Sequence, residues 1–209
     1  MNPFKNRLFI FLCLLLITPF FHSLYAQKHN PLLQFLQNNF DSVIVYHRYS
    51  AWRTEPHYEI VAKENKRTYA FIYKNPYVYI GAQPGIMKSR LIKEALLFKN
   101  TVPDTNRYLV PARVYNEKSD SLWHTLTAAD FWNLNDSLGK QNSCNTPGGG
   151  IFSSYDAEEV RLFFITRTAI MQKSFYDPEE FDKACSDDIN RKKVIAARKA
   201  FAYYLTAQF

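Results

Sequence analysis

Two stretches of alternating side chains, joined by a short polar turn, constrain the fold of this sequence more than any other feature. Residues 57–63 and 67–74 are rich in β-branched and aromatic residues, and 64–66 between them are Glu-Asn-Lys. This pattern predicts a β-hairpin. Residues 41–49 before the hairpin and 77–80 after it also have strand character. The chain is therefore expected to contain an antiparallel meander.

Outside the meander, apolar residues recur every three or four positions, which indicates amphipathic helices. Helices are predicted over 31–39, around 87–98, from Thr127, from Asp177 and over 188–206, and strands over 108–115, 160–166 and 168–176. Strands and helices mix without regular βαβ alternation, so the predicted class is α+β. The expected architecture is an antiparallel β-meander packed with several helices in a single compact domain.

Two helix details follow from the same pattern. Met87, Leu91, Ala95 and Phe98 share one face of their predicted helix, and this face is expected to be buried. Asp177 precedes Pro178, Glu179 and Glu180, an order that favours an Asp N-cap followed by proline in the first turn.

The amino terminus has the three-part pattern of a secretory signal peptide. Lys5 and Arg7 make it positive, and residues 8–21 follow without a charge. This uncharged run of 14 residues is interrupted by Pro19 and is shorter than the roughly 20 residues that a spanning helix needs. The segment is therefore expected to be a cleaved leader rather than an anchor.

Cleavage is expected near Ala26, so that 1–26 is removed and 27–209 forms one exported domain. The mature form is expected to be periplasmic or extracellular and to lack a transmembrane segment. Losing Lys5 and Arg7 lowers the formal charge from +7 to +5. So modest an excess, in an exported protein, does not favour nucleic acid as a partner.

Two cysteines remain after cleavage, Cys144 and Cys185. An even count in an oxidising compartment predicts a disulfide between them. Closing a loop of about 40 residues contributes roughly 3–4 kcal/mol in the chain-entropy model. The alternative is a pair of separate buried thiols.

His47 and His57 flank one predicted loop and, with Glu59, are the candidate catalytic residues for acid–base chemistry. The alternative is that they are polar residues at strand ends. The histidine spacing matches no common metal motif, and the glycines at 148–150 lack the lysine of a phosphate-binding loop. No metal site and no cofactor are therefore expected.

Tyr49, Trp52 and Arg53 are the candidate binding residues, because they place aromatic and cationic side chains in the loop after the first strand. Such side chains dominate the energetics of recognition surfaces. The alternative is that Trp52 folds over the sheet as part of the core.

No complete catalytic motif is present, so the chain is not predicted to be an enzyme. The favoured function is a non-catalytic binding or structural module of the cell envelope or periplasm, with a protein or glycan as ligand. The alternative is an exported hydrolase-type enzyme with its site near His47, His57 and Glu59.

Overall fold

The computed structural model of the protein describes residues 30–50, 56–75, 84–100, 103–185 and 187–205. The predicted signal peptide, the strand expected at 77–80, Trp52 and Arg53 lie outside the described residues. The fold is α+β, as the sequence pattern predicts.

Within the described ranges, six strands form one antiparallel sheet and two short strands form a separate hairpin. In chain order the strands are β1 Ser42–Tyr49, β2 Tyr58–Glu64, β3 Arg67–Tyr73, β4 Leu109–Pro111, β5 Ser143–Asn145, β6 Ile151–Ser153, β7 Glu159–Thr166 and β8 Ile170–Tyr176. The large sheet has the order β4-β3-β2-β1-β7-β8, and β5 pairs with β6. The predicted hairpin is confirmed as β2–β3, and the strands predicted after residue 160 are confirmed as the hairpin β7–β8.

Helices pack on both faces of the large sheet. They are α1 Pro31–Asn39, α2 Gly85–Asn100, α3 Thr105–Tyr108, α4 Asn116–Ala128, α5 Pro178–Ala184 and α6 Ile189–Leu205, with a 3₁₀ turn at Phe131–Asn133. Among the described residues, no helix is both long and apolar enough to cross a membrane.

The central strand β1 is buried on both of its faces. Ile44 and Tyr46 belong to a core that is closed by α4 and α6, whereas Val43 and Val45 belong to a second core that is closed by α1. Successive side chains of a strand point to opposite faces, so a strand covered on both sides has an almost continuous apolar run. The side chains at the end of β1 are accordingly sorted between two environments.

One predicted helix start was wrong. The helix expected to begin at Thr127 instead ends there, because α4 spans Asn116–Ala128. Leu122 and Leu126 are four residues apart and fully buried against the sheet. The Thr127 hydroxyl donates to the Trp123 carbonyl at 2.9 Å, inside the helix, rather than capping a new one.

Asp177 occupies the predicted N-cap position and α5 begins at Pro178 as expected, but the capping by the Asp177 side chain that the sequence predicts is not made. Asp177 adopts a left-handed conformation with φ 41°, and its side chain makes no capping hydrogen bond. Its carboxylate accepts a hydrogen bond from the Ser154 hydroxyl at 2.7 Å instead. The side chain thus links the start of α5 to the segment before β7.

The predicted disulfide is confirmed. Cys144 of β5 is bonded to Cys185, which directly follows α5, over a sequence separation of 41 residues. The bond ties the small hairpin to the helical layer.

Candidate functional site

The end of β1 that leads toward β2 positions two polar groups on opposite faces of the sheet. His47 and Tyr49 point to one face, and Tyr46 and Arg48 point to the other, because side chains alternate along a strand. Glu59 lies directly across from Tyr46 and shares its face. His57 lies just before β2, and its Nε2 is 3.9 Å from the Glu59 Oε1 atom. The structure therefore brings His57 and Glu59 together and places His47 on the opposite face.

The first group is the His47 cluster, defined as His47, Tyr49, Tyr58, Glu159 and Arg161. His47 lies opposite Tyr58 on β2 and opposite Arg161 on β7. The His47 and Tyr58 ring centroids are 4.3 Å apart, and His47 is 6% exposed. Its Nδ1 has no hydrogen-bond partner among the described residues.

Burial lowers the pKa of His47 to about 4, and the positive charge of Arg161 acts in the same direction. The imidazole is therefore neutral at pH 7. A neutral His47 packed against the Tyr58 ring inside the sheet is part of the packing rather than a group available for proton transfer.

Arg161 and Tyr49 form the accessible part of this cluster. The Arg161 guanidinium carbon lies 3.9 Å from the centroid of the Tyr49 ring. The Glu159 carboxylate accepts hydrogen bonds from Nε and Nη2 of Arg161 at 2.9 and 2.6 Å. Tyr49 is 39% exposed. The cation–π contact and the carboxylate together hold the two side chains in one arrangement.

The second group is the Glu59 cluster, defined as Tyr46, Arg48, His57, Glu59, Glu158 and Arg198. The Arg48 guanidinium binds the Glu158 carboxylate through two parallel contacts, Nε to Oε1 and Nη2 to Oε2, the latter at 2.6 Å. These hydrogen bonds raise the pKa of Arg48 above its ordinary value. This bidentate pair joins β1 to the segment just before β7.

Glu59 and His57 lie near each other without forming a hydrogen bond. The distance from His57 Nε2 to Glu59 Oε1 is 3.9 Å. Burial raises the pKa of Glu59, and the charges of Arg48 and Arg198 oppose this rise. Burial also lowers the pKa of His57, with Lys74 and Arg48 adding to the effect. Both groups are thus biased toward their neutral forms, which is a property of general acids and bases.

Tyr46 lies at the base of the Glu59 cluster. It is 2% exposed, and its hydroxyl has no hydrogen-bond partner among the described residues. Its ring stacks on Phe201 of α6 with centroids 5.3 Å apart. Burial raises the pKa of Tyr46, and the charges of Arg198 and Arg48 oppose this rise. The phenol therefore stays protonated and presents a hydrogen-bonding group beneath the charged side chains.

Sequence reasoning missed Arg161 and Glu158, which complete the two clusters. Arg48 and Glu158 are 110 positions apart, and they meet because β1 pairs with β7. No local pattern indicates that pairing. Within the described ranges, no three or more His, Cys, Asp or Glu side chains are grouped so as to hold a metal ion.

Comparison of the chain with protein-family models, with curated proteins and with solved structures finds no match in any of the three.

Proposed function

We propose that the mature chain is an exported, non-catalytic binding module of the cell envelope or periplasm, and that Tyr49 and Arg161 form the centre of its recognition surface. The observation that carries the proposal is the Arg161 guanidinium stacked on the half-exposed Tyr49 ring and held there by Glu159. The ligand that fits this chemistry best is another protein, since tyrosine and arginine are the residues most enriched at energetically dominant positions of protein interfaces.

The placement of this pair on two adjacent strands supports the proposal. Tyr49 is on β1 and Arg161 is on β7, and these strands are paired along their length. Side chains that are already ordered lose little conformational entropy on binding, so more of the contact energy remains as affinity. Trp52 and Arg53 follow three and four positions after Tyr49 in the chain and continue the same aromatic and cationic composition.

The disulfide supports the exported location. Cys144 and Cys185 are bonded, and such bonds persist in oxidising compartments. This agrees with the leader-like amino terminus, where a charged start precedes the uncharged run 8–21.

A second candidate function is a hydrolase that uses the Glu59 cluster. It is favoured by the raised pKa of Glu59 and the lowered pKa of His57, 3.9 Å away. It is weakened by the position of His47 on the other face of the sheet, because an acid–base site containing all three residues does not assemble there.

Site-specific photo-crosslinking in the native host tests the binding proposal. Replacing Tyr49 with the photoreactive residue p-benzoylphenylalanine should give a covalent adduct of defined mass with another envelope protein. Adding Arg161→Ala should reduce the adduct yield about tenfold, the effect of losing about 1.4 kcal/mol of binding energy at a dominant contact.

The matched control places the same photoreactive residue at Tyr155, which is 75% exposed and belongs to neither cluster. An identical adduct from position 155, or no adduct from position 49, contradicts the proposal. Retention on a polysaccharide that Tyr49→Ala abolishes would instead identify a glycan ligand. Hydrolytic turnover that Glu59→Gln abolishes and Tyr49→Ala leaves intact would establish the hydrolase.

A further inference from the structure

Helix α2 carries an exposed apolar surface that no described part of the chain covers. Its large apolar exposed residues, with exposed fractions in parentheses, are Ile86 (89%), Met87 (50%), Ile92 (41%), Leu96 (51%) and Leu97 (41%). The face expected to be buried is only partly so: Phe98 is buried and Met87 is exposed. Several large exposed apolar residues on one helix indicate an interaction surface.

The described positive side chains of α2 face the solvent, whereas its acidic side chain is paired. Lys88, Arg90 and Lys93 are exposed. Glu94 is the one acidic residue in the α2 sequence. Its carboxylate accepts a hydrogen bond at 2.5 Å from Nη2 of Arg107, which lies beyond α2. The charge that α2 presents to solvent is therefore cationic.

The apolar and cationic residues are interleaved along the same outward side. Lys88, Ile92 and Leu96 follow one another at intervals of four residues and form one row. Lys93 and Leu97, also four apart, form a neighbouring row. Lysine stems are apolar and flexible, so the ammonium groups can reach outward while the apolar side chains between them are buried.

We propose that this side of α2 docks on a lipid bilayer that contains anionic headgroups. At the surface of such a bilayer the exposed apolar side chains can enter the headgroup region, while the lysines and arginines between them reach the anionic headgroups. Charge complementarity favours this occupant over a second copy of the chain. A symmetric dimer through α2 would bring Lys88, Arg90 and Lys93 of one copy close to the same cations of the other.

Vesicle co-sedimentation tests the electrostatic part of the proposal. The mature protein should partition onto vesicles of phosphatidylcholine mixed equally with phosphatidylglycerol, and far less onto phosphatidylcholine alone. Each basic side chain at an anionic surface contributes about fivefold to partitioning. Lys88→Glu combined with Lys93→Glu should therefore lower the partition coefficient by at least about 25-fold.

A charge-matched control uses the other basic helix. Lys192→Glu combined with Lys199→Glu changes the net charge by the same amount, at two exposed positions of α6. This variant should lower partitioning by no more than about twofold, because charges beyond a Debye length from the membrane are screened.

A second pair of variants tests the apolar part. Ile92→Ser combined with Leu96→Ser should lower partitioning at least about tenfold, and the loss should persist in high salt. Ile151→Ser combined with Ile189→Ser removes two other exposed apolar residues, 75% and 62% exposed, and should have little effect.

Equal partitioning onto both kinds of vesicle overturns the proposal, and so does an equal loss in the α2 and α6 charge variants. A dimer in sedimentation velocity that Leu96→Ser abolishes would identify a second copy as the occupant. If a purified acidic envelope protein bound α2 stably and saturably, and anionic vesicles did not bind, the partner of α2 would be a protein and not a lipid bilayer.

Discussion

His47 and His57 are ten positions apart in the chain and occupy opposite environments at the same end of the sheet. His47 is 6% exposed and packs against the Tyr58 ring, whereas the His57 side chain is 52% exposed and lies near Glu59. His47 sits on a strand with neighbours on both sides, and His57 precedes its strand. Position relative to the strands, rather than residue type, therefore decides that His47 is part of the packing and that His57 is available for chemistry.

The charged residues beside His47 and beside His57 also form different kinds of pairs. Arg161 and Glu159 pair with each other on one strand and support the Tyr49 ring. Arg48 and Glu158 pair across different parts of the chain, and among the described residues Glu59 has no bidentate partner. The Arg161–Glu159 pair favours a preorganised contact surface. The Arg48–Glu158 pair leaves Glu59 with a pKa that burial raises.

The largest expected effect is the pH dependence that His47 contributes. The unfolded chain binds a proton at His47 below pH 6.5, and the folded chain does so only below about pH 4. Stability should therefore fall as the pH is lowered through this window. At 1.36 kcal/mol per pH unit, the loss of free energy of unfolding is about 3 kcal/mol.

Urea unfolding at a series of pH values measures this effect by difference. His47→Gln should flatten the stability profile between pH 6.5 and 4 by about 3 kcal/mol, since the buried titrating group is gone. His57→Gln should flatten it by clearly less, because the half-exposed imidazole keeps more of its hydration in the folded state than His47 does. If both substitutions flattened the pH profile of stability equally, the proposed difference between the environments of His47 and His57 would be wrong.

An intermediate effect is expected at the bidentate pair of the Glu59 cluster. Arg48→Ala should lower the free energy of unfolding by about 1–2 kcal/mol, because it leaves the partly buried Glu158 carboxylate without its guanidinium. A double-mutant cycle with Glu158→Gln measures the coupling energy.

The control for this pair is Arg167→Ala. Arg167 pairs with Asp41 at 3.0 Å, but both side chains are about half exposed. Its loss should cost less than about 0.5 kcal/mol. A coupling energy near zero for Arg48 and Glu158 would contradict the structural role assigned to them.

The smallest effect is expected at Glu59, and its sign is the reverse of that at His47. Burial raises the pKa of Glu59 above its unfolded value, so the folded state loses stability as the pH rises through the raised pKa. Glu59→Gln mimics the protonated form and should increase the free energy of unfolding at pH 7 by about 0.5 kcal/mol.

This gain should disappear below the unfolded pKa, where Glu59 is protonated in both states. Urea unfolding at pH 7 and at pH 3.5 measures it, with Asp120→Asn at an exposed position of α4 as the control. A loss of stability at pH 7 would show that the charged carboxylate is favourable in the fold.

Much of the secondary structure could be predicted from local patterns. The alternation of side chains within β1, β2 and β3 and the helical periodicity of α6 were enough to predict these elements. The hairpin β2–β3 needed no contact distant in sequence. The helix α4 was missed because its position depends on Leu122 and Leu126 reaching the sheet. Its sequence also contains Ser and Asp, whose side chains compete for backbone hydrogen bonds and favour caps and turns over the interior of a helix.

The α+β class, the β2–β3 hairpin and the Cys144–Cys185 disulfide were all predicted from local side-chain spacing or from the even number of cysteines in the mature chain. Which polar residues contact one another depends on the long-range strand pairing of the folded chain. Placing β1 between β2 and β7 joined Arg48 to Glu158, set Arg161 over Tyr49, and separated His47 from His57 and Glu59. The physical reason is that a strand has two faces of opposite side chains, and its neighbours in the sheet are set by long-range pairing that no local pattern encodes.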